Sequence, residues 1–73
     1  MNESVLNNLV RHINEFDCYY EMSDSNSVYV NNKKIEVGIN NQLKKLSIEE
    51  KNYVLNNLNN NGKECFKRYF YDS

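Results

Sequence analysis

The chain has 73 residues, of which 40% are hydrophobic and 26% charged. That is one domain over 1–73, too small for a deep cavity, because such a domain buries only about 60% of its unfolded surface. The ordinary composition excludes a wholly disordered chain, and the lack of any apolar run near 18 residues excludes a membrane span. The net charge of −1 hides an asymmetry: residues 1–31 carry five acidic side chains against Arg11, a net of −4, and residues 32–73 carry eight basic against five acidic, a net of +3. Such a bipolar chain points to an oriented interaction rather than a uniform electrostatic one.

In chain order, Val5, Leu6, Leu9, Val10, Ile13 and Phe16 recur at the one, three and four spacing of a buried helical face. A helix is expected over about 3–16, with Asn2 or Ser4 as its N-cap. The period then becomes two. Cys18, Tyr20 and Met22 alternate with Tyr19 and Glu21, which predicts a half-buried strand. Ser23-Asp24-Ser25-Asn26-Ser27 is a polar turn. Val28-Tyr29-Val30 and Ile35-Glu36-Val37-Gly38-Ile39 then read as two more strands, joined at Asn31-Asn32 with Lys33 and Lys34. A four-residue turn pairs Val30 with Ile35 and Val28 with Val37, which keeps the apolar side chains together. The expected buried face is Cys18, Tyr20, Met22, Val28, Val30, Ile35, Val37 and Ile39. The expected open face is Tyr19, Glu21, Tyr29, Lys34 and Glu36.

After a connector over 40–46, Ser47-Ile48-Glu49-Glu50 has the form of a capping box. It opens a helix expected over 48–60, with Gly62 as a left-handed stop. Cys65, Phe66, Tyr69 and Phe70 place a short third helix over 63–71, a strand being the alternative. The order is therefore α-β-β-β-α-α, an α+β domain with helices on one face of a three-stranded antiparallel sheet.

Little in the chain points to catalysis. His12 is the sole histidine and has no nucleophile at a telling spacing. No second histidine or Cys-x-x-Cys pair supports a closed zinc site. Glu49 and Glu50 suit the positive end of a helix, and the two glycines lie in no phosphate-cradling loop. The expectation is a binding protein, not an enzyme, with no cofactor and no metal. Met1-Asn2-Glu3-Ser4 is unlike a signal peptide, so the expected location is the cytoplasm of a host cell. Cys18 and Cys65 are there most simply free thiols, a disulfide being the alternative. The 15 asparagines, with no Ala, Thr, Pro or Trp, fit AT-rich coding.

Two surfaces are candidates for binding. On the open face, Tyr19 and Tyr29 are aromatic anchors with Glu21, Asp24, Asn26 and Glu36 as a polar rim. The basic pairs Lys33-Lys34 and Lys44-Lys45 are the alternative, as phosphate contacts of a nucleic-acid-binding module. Self-association through an edge strand or the aromatic C-terminus is a third reading.

The α-β-β-β-α order resembles the double-stranded-RNA-binding domain, with Lys44 and Lys45 before the second helix and Asp24-Ser25-Asn26 in its first interstrand loop. That family's loop histidine is missing, and the helix opens on acidic residues. A run from Asn8-Leu9-Val10-Arg11 through Ile13, Asp17 and Tyr19 to Asp24-Ser25-Asn26-Ser27 resembles small phage-encoded anti-CRISPR proteins that inhibit type II RNA-guided nucleases. It covers residues 7–27, and the α-β-β-β-α-α order is shared. The resemblance implies a stoichiometric inhibitor of a host defence protein, a CRISPR effector nuclease in that family, with Glu21, Asp24 and Asn26 entering the target's DNA site. Lys63, Lys67 and Arg68 depart from the family's acidic character. A different target or contact mode is then expected rather than mimicry of DNA by the whole surface.

Overall fold

The computed structural model describes residues 2–71; Met1, Asp72 and Ser73 lie outside the described residues. The fold is helical throughout, with no strand among the described residues. Helix α1 (Glu3–Asn14) is followed by a 3₁₀ turn (Tyr20–Met22), α2 (Asn26–Lys44), α3 (Ile48–Asn57) and α4 (Asn60–Cys65), which runs on as a π-helical turn, Phe66–Phe70. The α+β class, the three-stranded sheet and the edge strand are thus overturned.

Helix α1 forms as its periodicity predicts. Asn2 caps it, its Oδ1 accepting from the Val5 amide at 3.0 Å. Leu6, Leu9, Val10 and Ile13 are buried on the face that packs against α3 and α4. Helix α3 opens with the expected capping box: Ser47 Oγ accepts from the Glu50 amide (3.1 Å) and Glu50 Oε1 accepts from the Ser47 amide (2.9 Å). The Ser47 bond also holds the Glu50 carboxyl below its ordinary pKa.

The expected second and third strands are one 19-residue helix. Ser25 caps it by accepting from the Val28 amide. Val28, Asn32, Ile35, Ile39 and Leu43 recur at spacings of four, three, four and four, a helical repeat interrupted by one polar residue. Ile39 and Leu43 are buried and Val28 is half-buried. The β-branched residues suggested strands, but their helix penalty is only a few tenths of a kcal/mol each. Asn31-Asn32 brings no glycine to a tight hairpin, and no described residue, glycine included, has a positive φ. The chain instead runs straight through as helix, and the Asn32 side chain adds a bond of its own, Nδ2 donating to the Val28 carbonyl at 2.8 Å.

The proposed sheet face dissolves accordingly. Cys18, Tyr20 and Ile39 are buried, but Met22, Val30, Ile35 and Val37 are exposed. The Cys18–Tyr20–Met22 alternation belongs to a loop and a 3₁₀ turn. The connector is shorter than expected, because α2 extends to Lys44. Gly62 is no helix stop: it lies inside α4, where a Cβ would collide with Asn14 Oδ1. Close packing against α1, not backbone freedom, requires glycine there.

Asparagines fasten α1 to α4. Asn14 Oδ1 accepts from the Asn59 amide (2.9 Å), and Asn61 Nδ2 donates to the carbonyls of Asn14 (2.7 Å) and Phe16 (3.0 Å).

Candidate functional site

The most organised region lies where the 3₁₀ turn, the start of α2 and the π-helical turn converge. Its base is a buried cluster of rings. Phe16 meets Tyr20, Tyr69 and Phe70 edge-on at centroid distances of 5.6, 5.6 and 5.3 Å. Tyr20 also packs on Tyr69 at 5.3 Å and on Tyr29 at 5.5 Å. Edge-to-face and tilted pairs suit the ring quadrupoles. The π-helical turn shifts the register so that Tyr69 and Phe70 both reach this cluster, and such turns recur at functional sites.

A disulfide joins the two sides of the cluster. Cys18 and Cys65 are bonded, with Cα atoms 4.9 Å apart and both side chains buried. The expectation of free thiols is overturned: 47 residues separate the pair in sequence, and the α1–α4 packing brings them together. Asn61 Nδ2 lies 3.7 Å from Cys65 Sγ. Arg68 completes the clasp from above. Its Nε donates to the Cys18 carbonyl at 3.2 Å, and its guanidinium sits over the Tyr19 ring at 4.8 Å.

Tyr20 carries the main polar contact beneath the surface. Its hydroxyl donates to Glu36 Oε1 at 2.5 Å, and Lys33 Nζ lies 3.5 Å from Glu36 Oε2. Burial first, then the Glu36 carboxylate, pushes the Tyr20 phenol well above its ordinary pKa, so it remains a donor at any physiological pH. The Tyr69 hydroxyl is buried without a hydrogen-bond partner among the described residues. Burial raises its pKa too, with Glu21 acting in the same direction and Arg68 against it.

On this base lies an exposed run. Tyr19, Glu21, Asp24, Asn26 and Tyr29 are all exposed, Tyr19 by 50% and Tyr29 by 39%. They come from one continuous segment rather than two paired strands. Tyr19 and Tyr29 are not a cross-strand pair: Tyr19 rests under Arg68 and Tyr29 against Tyr20. Glu36, assigned to the open face, is half-buried and bonded to Tyr20. Along α2 the surface continues as a shallow trough lined by Tyr29, Val30, Lys33, Lys34 and Val37.

The basic pairs are separated. Lys33 and Lys34 lie in the middle of α2 and Lys44 and Lys45 at its C-terminal end, so Lys33 and Lys44 are about 16 Å apart along the axis. Lys33 is paired with Glu36, and Lys44 and Lys45 sit where cations favour the helix dipole. With no sheet among the described residues, the double-stranded-RNA-binding topology does not apply. No group of three or more His, Cys, Asp or Glu that could hold a metal occurs among the described residues. Among the described residues no helix is long and apolar enough to cross a membrane.

Sequence reading held the disulfide only as the alternative and gave Arg68, Tyr69 and Asn61 no part in the site. Only Tyr69 carried a signal, through its helical spacing with Cys65 and Phe66. Comparison with protein-family models, curated proteins and solved structures found no match.

Proposed function

We propose that this chain is a small binding protein that recognises a protein partner through residues 19–29, with Tyr19, Glu21, Asp24, Asn26 and Tyr29 as its contacts. One observation carries this reading: an exposed, mostly polar run is seated on a buried ring cluster and tied down at Cys18 and Arg68. A segment ordered before binding loses less conformational freedom when it binds, and exposed tyrosines are favoured anchors. The strip is also polar in sense, acidic at Glu21 and Asp24 and basic at Lys33 and Lys34, which suits a partner of the opposite order.

Inhibition of a host defence protein, in the manner of anti-CRISPR proteins, is the role we assign to that binding. Its support is the resemblance over residues 7–27, since the shared strand order is gone. Action in the host cytoplasm belongs to the same proposal. Disulfides are rare in that compartment, but both sulfurs here are buried, which restricts attack by thiols.

The test is a pull-down with the tagged chain from host lysate without reductant, with and without nuclease. The reading predicts one protein at near-equal stoichiometry in both samples, lost with the Glu21→Lys/Asp24→Lys variant. Ribonucleoproteins that vanish on nuclease treatment would overturn it in favour of nucleic-acid contacts at Lys33, Lys34, Lys44 and Lys45. Retention by the double variant would overturn the site.

A further inference from the structure

The chain's two glycines stand in different positions. Gly62 is demanded by packing, but Gly38 lies inside α2 with nothing within 4 Å of where its Cβ would be. A glycine inside a helix weakens it relative to alanine, and nothing within the chain accounts for this one. Gly38 does lie in a cleft of about 410 Å³ between α1 and α2, within the size range of small-molecule sites. Its apolar walls come from Phe16, Ile35 and Ile39, and Ile35 is 48% exposed there.

The polar lining is specific in charge. His12 and Glu15 come from α1, Asn32 and Gln42 from α2, and Glu15 is the one formally charged lining side chain with histidine neutral. Its carboxylate has no hydrogen bond or ion pair among the described residues. Glu15 also caps the C-terminus of α1, where a negative charge opposes the helix dipole and a neighbouring cation is favoured. Asn32 uses its Nδ2 on the Val28 carbonyl, which leaves its amide oxygen as an acceptor.

We propose that this cleft binds a small cationic amphiphile, a ring-sized apolar body bearing an amine. The body lies over Ile35 and Ile39 in the gap that Gly38 leaves open. The ammonium pairs with Glu15 and is offered the amide oxygens of Asn32 and Gln42. This site is separate from the 19–29 surface and does not depend on the partner proposed for it.

The experiment is an amide NMR titration of the disulfide-intact chain with three probes of one ring: tryptamine, indole and indole-3-acetate. Tryptamine is expected to shift the Gly38, Ile35 and Ile39 amides saturably. It should bind about threefold tighter than indole, the scale of an exposed ion pair, with indole-3-acetate weakest. Glu15→Gln should reduce tryptamine to the affinity of indole. Gly38→Leu should fill the gap and abolish the shifts while raising the thermal midpoint, since it removes a helix-weakening glycine at an open position. A Kd weaker than about 1 mM for tryptamine, a reversed order of the probes, or unchanged binding by Gly38→Leu would overturn the proposal.

Discussion

Helices α1 and α2 divide the work of this molecule. Four of the 12 residues of α1 are buried, and the helix packs on both α3 and α4. Only two of the 19 residues of α2 are buried, both in its C-terminal half, while Val30 and Val37 stay exposed. Stability is concentrated on the α1 side, and α2 carries surface in excess of what the core needs. The clasp at Cys18–Cys65 and Arg68 ties the start of the exposed 19–29 segment to the α4 side.

The largest expected effect comes from that clasp. Opening a 47-residue crosslink by the Cys18→Ser/Cys65→Ser double substitution should cost about 4 kcal/mol on the chain-entropy estimate. Urea denaturation with and without reductant checks this, and the double variant should not respond to reductant. Next comes the contrast between the helices themselves. Ile13→Ala, at a site with 0% exposure, should cost about 3 kcal/mol. Val30→Ser and Val37→Ser should each stay within about 0.5 kcal/mol. Equal losses at the two helices would break the division.

Tyr20→Phe should cost about 2 kcal/mol, because it removes the donor to Oε1 of the half-buried Glu36 carboxylate and leaves only Lys33 at Oε2. It should also change the alkaline limb. The Tyr20 phenol is raised above its ordinary 10.0, so the native state holds that proton more tightly than the unfolded chain does. The stabilisation is complete below about pH 10 and lost as pH rises beyond it. The variant's stability should therefore fall less steeply above pH 10 in pH-dependent thermal melts. The smallest effect is at Ser47, where Ser47→Ala removes half of the capping box of α3 and should cost about 1 kcal/mol.

The same two helices show how much of the fold could be read from sequence. Helix α1 has a complete apolar repeat and a capping asparagine, and both signals were legible. So was the capping box at Ser47. Helix α2 was not, because Val28, Val30, Ile35, Val37 and Ile39 fit two runs of period two, while only Val28, Ile35 and Ile39 share one helical face. The outward Val30 and Val37 supplied the false alternation. They are exposed, so no core requirement had placed them, and pattern reading assumes that one did. Of the candidate site, Tyr19, Glu21, Asp24, Asn26 and Tyr29 were legible as exposed side chains. The disulfide beneath them and Arg68 over Tyr19 were not, since contacts across about 50 residues leave no local pattern.

Residue-resolved NMR of the oxidised chain tests the account most directly, through secondary chemical shifts and amide exchange over residues 26–44. The account predicts unbroken helical shifts from Asn26 to Lys44, including Asn31 and Asn32, with faster exchange in the first half of α2 than at Leu9, Val10 and Ile13. Extended shifts at 28–30 and 35–39 with a turn between them would contradict it.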